Sequence, residues 1–180
     1  MAESGRKTIN DLLAEARGKL KRLEPREAEQ AVAEGALLVD IRSSDQQRKS
    51  GVIPGALRIP RNVLEWRVDP ESGHQHPEIA GHENRLILIC AQGQQSSLAS
   101  ATLHELGFTQ TTDVIGGFEG WIAAGCPVVA AEALARFAGS FADPSQDRRA
   151  DGAVALMLTP CIAPRHLRVR RLCRRLRLRR

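Results

Sequence analysis

Apolar positions recur along this chain in several patterns, and each pattern predicts a different element. From Thr8 to Leu23 the residues Leu12, Leu13, Ala16, Leu20 and Leu23 fall at three- and four-residue spacings, which predicts an amphipathic helix capped by Thr8 or Asn10. Pro25 punctuates it, and the Glu- and Ala-rich run Arg26 to Ala33, stopped by Gly35, predicts a second, short helix. The first helix has two readings: a helix packed on its own domain, which is the more ordinary arrangement, or an arm that docks on a second copy. Ala36 to Ile41 and Leu86 to Cys90 are short apolar runs without alternation, the mark of strands buried on both faces. In open parallel sheets ligands collect outside the carboxyl ends of strands, so Asp40 and Cys90 fall where chemistry is usually placed.

After Cys90 the chain reads as a loop, Ala91 to Gln95, then a helix from Ser96 to Leu106 with Leu98, Thr102, Leu103 and Leu106 on one face, a cap at Ser96 or Ser97 and a stop at Gly107. Asp113-Val114-Ile115 is a third short strand, Gly116-Gly117 a turn, and Phe118, Trp121 and Ile122 belong to a last helix closed by Gly125-Cys126-Pro127. Strand and helix alternating through short links predict an α/β domain of mostly parallel central sheet flanked by helices on both faces, over about residues 25–130. Residues 1–24 form an N-terminal helix or arm and residues 131–180 a C-terminal extension. The stretch from Arg61 to Glu83 is broken by Pro70, Gly73, Pro77 and Gly81 and predicts a loop with a helical turn at Val63 to Arg67. His74, His76 and His82 lie within it, but no carboxylate stands at a matched spacing, so they read as polar surface residues and no metal is expected.

Composition narrows the class. With 42% hydrophobic and 26% charged residues in 180, the chain suits one soluble globular domain with extensions. No apolar stretch is long enough to cross a bilayer, and Met1 to Asn10 lacks the apolar core of a signal peptide, so the expectation is a cytoplasmic protein. The net charge of +5 misleads, because nine arginines and no carboxylate stand in residues 161–180 and the preceding 160 residues carry −4. The basic balance therefore describes a tail. Such a tail could engage nucleic acid or anionic lipid through phosphate contacts, although a disordered arginine run without aromatic residues accounts for it equally.

Four cysteines, Cys90, Cys126, Cys161 and Cys173, show neither a Cys-x-x-Cys pair nor zinc-type spacing and read as free thiols. Cys126 reads as packed. Cys90 is different: a cysteine at a strand end, followed by a short loop and a helix N-terminus, sits in a ring of backbone N–H groups at the positive end of a helix dipole. That ring favours an anion, whether thiolate, persulfide or bound oxyanion, and Gly93 lets the backbone curl inward. A buried, inert cysteine ending a strand is the bland alternative.

At these residues the chain resembles the rhodanese-like family of sulfurtransferases, over roughly residues 25–130. Val39-Asp40-Ile41-Arg42 is similar to the family's Asp-x-Arg segment and Gly51-Val52-Ile53-Pro54-Gly55-Ala56 to its Gly-His-Ile-Pro-Gly-Ala turn. Gly116 to Val128 resembles the family's C-terminal signature. Each is weak alone, and the three together around Cys90 are specific. The resemblance implies a rhodanese-like fold and makes Cys90 the nucleophile that takes a sulfane sulfur from a donor such as thiosulfate or a persulfide. It implies that the sulfur then passes to a thiol, a cyanide-like acceptor or an acceptor protein, without cofactor. Ala91, Gln92, Gly93, Gln94, Gln95 and Ser96 are then the substrate-binding loop. Cys90 to Gln95 is six residues, the length the family uses for sulfur, where related phosphatases use seven.

One departure from the family bears on the chemistry. The loop position that often carries arginine is Gln95, and Gln94 is neutral too, so the loop has no charged side chain to grip a dianion and thiosulfate turnover should be weak. Arg61 and Arg67 are candidates to supply the charge. Asp40 and Arg42 read best as an ion pair anchoring the strand end, supporting the site from behind. Two functions follow: an active sulfurtransferase, and, as the alternative, a weak or inactive rhodanese-fold module for binding or redox sensing. A cysteine phosphatase is remote, since it needs a loop arginine and a longer loop.

Overall fold

The computed structural model describes residues 6–79, 81 and 83–131. The arginine-rich end, Cys161, Cys173, His82 and all but the first residue of the predicted 131–180 extension lie outside them. The elements run α1 (Ile9–Gly18), α2 (Pro25–Ala33), β1 (Leu37–Asp40), α3 (Ser44–Ser50), β2 (Leu57–Arg58), α4 (Leu64–Val68), β3 (Leu86–Ile89), α5 (Gln95–Glu105), β4 (Thr112–Asp113) and α6 (Gly117–Ala123). A 3-10 turn, Arg61–Val63, leads into α4. The four strands form one wholly parallel sheet in the order β2-β1-β3-β4. No described helix is long and apolar enough to cross a membrane.

Strand β3 is the axis of the domain. Its four residues Leu86, Ile87, Leu88 and Ile89 are all completely buried, as the unbroken apolar run requires of a strand covered on both faces. Because side chains alternate, Leu86, Leu88 and Cys90 join one core with Leu64 and Val68 of α4 and Ala99 and Leu103 of α5. Ile87 and Ile89 join the opposite core with Ala28 and Ala31 of α2 and Phe118 and Trp121 of α6. Cys90 therefore continues the α5 side of β3, and alternation alone aims its sulfur at the helix that follows it.

Three expected elements differ in detail, and the first is β4, which is Thr112–Asp113 where the strand was expected over Asp113 to Ile115. Helix α1 starts as expected, with Thr8 and Asp11 forming a reciprocal capping box, but it stops at Gly18 instead of running to Leu23. Leu23 instead pairs in parallel with Val114, its N–H donating to the Asp113 carbonyl at 3.0 Å and its carbonyl accepting from Ile115 N–H at 2.9 Å. Sheet pairing there outweighs helical spacing, since it satisfies an edge of β4 that a helix could not. Helix α5 begins at Gln95 with Gln94 as its cap, not at Ser96 or Ser97, because the Ser97 hydroxyl donates to a buried carboxylate and the Ser96 hydroxyl lies between that carboxylate and the Cys90 sulfur. The buried face of α5 is Ser96, Ser97, Ala99, Ser100 and Leu103, with Leu98 and Thr102 half-buried and Leu106 exposed. Small residues there let α1 pack against α5 through Leu13 and Ala16, so the N-terminal helix is packed on its own domain.

Beyond α6 the chain returns to the turn at Gly51. Val52 and Val129 exchange backbone hydrogen bonds of 2.8 and 2.9 Å, and a β-carbon on Gly51 would stand 2.7 Å from the Val129 carbonyl oxygen.

The capping box gives a pH dependence. The Thr8 backbone N–H, and after it the Thr8 hydroxyl, hold the Asp11 carboxyl below its ordinary range. A carboxyl lowered in the folded state stabilises it above the unfolded value and loses that contribution as pH falls. Amide protection in the first turn of α1 should thus decline as pH drops below about 4, measured by hydrogen exchange, and Asp11→Asn should remove that dependence.

Candidate active site

The loop of Cys90 is fixed from three directions. From α6, the N–H groups of Phe118 and Glu119 donate to the carbonyls of Cys90 and Ala91 at 2.8 and 3.0 Å. This contact needs glycine: a β-carbon on Gly117, whose φ is +59°, would lie 2.5 Å from both the Cys90 carbonyl oxygen and the Gly93 nitrogen. Gly93, at φ +70°, meets the Gly116 nitrogen in the same way, so Gly93 and the Gly116-Gly117 pair are one close backbone approach read from its two sides.

Within the loop, Gly93 N–H donates to the Cys90 sulfur at 3.2 Å, and the Ser96 hydroxyl lies 3.2 Å from the same atom. The cysteine is 3% exposed, at the carboxyl end of β3 and facing the first turn of α5. The amide ring expected from the sequence thus includes the Gly93 N–H at the sulfur, and a hydroxyl joins it. Gln92 reaches sideways, its amide donating to Glu119 at 3.1 Å, while Gln94 and Gln95 are exposed on the outer rim.

Behind the loop lies Asp113, fully buried at the end of β4. Its Oδ2 accepts from Ser97 at 2.8 Å and lies 3.1 Å from the Ser96 hydroxyl oxygen, and both its oxygens accept from the Arg22 guanidinium at 2.8 and 3.0 Å. Arg22 and Arg17 also both donate to the Gly93 carbonyl, at 3.1 and 3.0 Å. These two arginines, with Asp113 and Ser97, are residues the sequence reasoning did not find. The available signal was a carboxylate heading the short apolar run Val114-Ile115, Asp113; Arg22 reaches it across 91 residues of chain, which no local pattern reveals.

The arginines expected over the site are engaged elsewhere. Arg61 forks onto Glu65 at 2.7 and 2.9 Å, and Arg67 donates to the His74 carbonyl at 2.8 Å. Asp40 and Arg42 are buried and form a bidentate pair; the guanidinium also donates to the Gly51 carbonyl at 2.9 Å and lies 3.4 Å from the centre of the Phe118 ring. Since Phe118 itself bonds the Cys90 carbonyl, this pair braces the loop through α6. Among the described residues no group of three or more His, Cys, Asp or Glu is gathered in a way that could hold a metal ion.

A thiol set at a strand end, with a loop N–H donated to its sulfur, is the architecture of single-cysteine transfer domains on a parallel sheet. A rhodanese-like domain model matches residues 24–124, more than half of the chain, and the chain belongs to that family. Its curated relatives include the thiosulfate sulfurtransferase GlpE of Haemophilus influenzae, 31% identical over 109 residues covering 60% of this chain and 93% of the relative. A sulfurtransferase of Allochromatium vinosum is 30% identical over 57% of this chain and 86% of that protein. Among solved structures, a Rhodopseudomonas palustris protein of unknown function described as a possible tyrosine phosphatase aligns with TM-score 0.64 and 29% identity, over 72% of this chain and 99% of that one. The polysulfide-sulfur transferase homodimer of Wolinella succinogenes shares the fold, at TM-score 0.54 and 24% identity over 65% of this chain and 83% of that one.

Both described thiols are buried; at Cys126 burial first, then the Glu29 carboxylate, push the thiol up. Iodoacetamide at neutral pH should therefore label Cys90 while leaving Cys126 unmodified until the protein is unfolded, as read by peptide mass spectrometry. Gly117→Ala should lower stability by about 2–4 kcal/mol, the combined cost of a strained φ and a backbone clash. Urea denaturation measures it.

Proposed function

We propose that this protein is a sulfurtransferase that carries sulfane sulfur as a persulfide on Cys90. The observation that supports this most directly is the Cys90 sulfur held between the Gly93 N–H and the Ser96 hydroxyl, each at 3.2 Å, inside a six-residue loop at a helix N-terminus. Both groups stabilise negative charge at that atom.

In the first half-reaction the Cys90 thiolate attacks the outer sulfur of the donor. With thiosulfate, a Cys90 S–S bond forms as the donor S–S bond breaks, and sulfite departs with the electron pair. The terminal persulfide sulfur then bears the negative charge. In the second, a nucleophilic acceptor such as cyanide or a thiolate attacks that terminal sulfur, and the Cys90 thiolate leaves with its electron pair. The protein alternates between two covalent states and needs no redox partner when the acceptor is cyanide.

The rim sets the donor. Gln94 and Gln95 are exposed and neutral, so a sulfonate group meets only amides there, and the donor best matched to this loop is one less charged than thiosulfate, such as a low-molecular-weight persulfide. The same neutrality disfavours a phosphoryl dianion, against the phosphatase description attached to the Rhodopseudomonas neighbour.

Intact-mass measurement after exposure to thiosulfate and, separately, to a persulfide tests this reading. A gain of one sulfur, about 32 Da, is expected on wild type and absent from Cys90→Ser, with the persulfide the better donor. No adduct from either donor sinks the reading and leaves a binding or redox-sensing module; hydrolysis of an aryl phosphate that depends on Cys90 replaces it with a phosphatase. Gln95→Arg should raise kcat/KM for thiosulfate about tenfold by adding a charge-assisted hydrogen bond, with little effect on the persulfide donor.

A further inference from the structure

Behind Cys90 three acceptors compete for hydroxyl protons. The Ser97 hydroxyl has one proton and two acceptors in reach, the Gly93 carbonyl at 3.1 Å and Asp113 Oδ2 at 2.8 Å. The Ser96 hydroxyl likewise lies between Asp113 Oδ2 at 3.1 Å and the Cys90 sulfur at 3.2 Å. Which acceptor each serine serves depends on what else donates to the others. Arg17 and Arg22 place one N–H each on the Gly93 carbonyl, and Arg22 places two more on Asp113. The carbonyl is satisfied without Ser97, so Ser97 turns to Asp113. The carboxylate, holding Ser97 and a guanidinium fork, is satisfied without Ser96, so the Ser96 proton is left for the sulfur.

Charge works in the same direction. Asp113 is fully buried, and without a cation its negative charge would oppose a thiolate one hydroxyl away. The Arg22 side chain, 16% exposed, offsets that charge where solvent screening is weak. The pull on the Gly93 carbonyl also fixes the loop: in a trans peptide the carbonyl and the following N–H point oppositely, so holding the Gly93 oxygen toward the arginines aims the Gln94 N–H away from them.

We propose that Arg17 and Arg22, both ahead of the family-matched residues 24–124, are positioning residues that direct the Ser96 hydroxyl proton onto the Cys90 sulfur through Ser97 and Asp113. They act through other groups and touch no reacting atom. The inference rests on Cys90 being the reactive sulfur, as in the sulfurtransferase reading.

Alkylation of Cys90 by iodoacetamide in the full-length chain, followed by peptide mass spectrometry at fixed pH, tests it without requiring sulfur transfer. Arg22→Ala should slow alkylation about tenfold, the scale of one hydrogen bond to a charged group. Free ethylguanidinium should restore much of the rate, and Arg22→Ala combined with Asp113→Asn should do the same, because a neutral amide needs no cation. Arg17→Ala, which removes no ion-pair partner, should slow alkylation about threefold and serves as the primary variant if Arg22→Ala does not fold. An unchanged rate in a folded variant overturns the proposal. A slowed rate in Arg22→Ala that neither ethylguanidinium nor Asp113→Asn improves also overturns it, leaving a structural role only. Sulfur loading of the wild type is scored separately: its absence, with the alkylation differences present, ends the sulfurtransferase reading and leaves the positioning network standing.

Discussion

The closest backbone approach in the site is the constraint on which the rest depends. Gly117 lies so near the Cys90 carbonyl and the Gly93 nitrogen that no β-carbon fits between them, and that contact seats the start of α6 on the start of the Cys90 loop. Once seated, the first N–H groups of α6 take the two carbonyls that β3 leaves unpaired as it ends. The loop can then turn inward, with the Gly93 N–H toward the sulfur. The Asp40–Arg42 pair contributes at one remove, since the guanidinium stacks on Phe118, the residue that carries one of those N–H groups. A motif that looks like three separate signatures in the chain is therefore one mechanical assembly.

The N-terminal segment completes that assembly from the opposite side. Its pairing with Val114 sends Leu23 into the α6-side core and Arg22 to the α5 side, where Asp113 and the Gly93 carbonyl wait. Helix α1 contributes Arg17 to the same carbonyl while packing Leu13 and Ala16 on α5. The loop lacks a cation of its own, and two cations reach its outer wall from a segment that precedes the family domain. They bond the backbone and a carboxylate, so the positive charge lies behind the loop while the exposed Gln94-Gln95 rim stays neutral.

By itself the sequence determined the parts whose cause is local. Unbroken apolar runs made β1 and β3 buried strands, Gly93 and Gly116-Gly117 marked where the backbone turns, and Cys90 stood at a strand end. Alternation along Leu86, Leu88 and Cys90 even carried the direction of the sulfur. What only the tertiary structure decided is which distant groups meet. Helical spacing ran through Leu23 because an isolated segment has no β4 to pair with. Ser96 and Ser97 looked like helix caps because the carboxylate their hydroxyls face lies about a dozen and a half residues ahead in the chain. Arg61 and Arg67 had the right charge but nearer partners in Glu65 and the His74 carbonyl, whereas Arg17 and Arg22 come within bonding distance of the loop only after the sheet forms. Hydrogen bonds and ion pairs act over a few ångströms in space, so a side chain's partner is set by the packing of the whole domain and not by its neighbours in the chain.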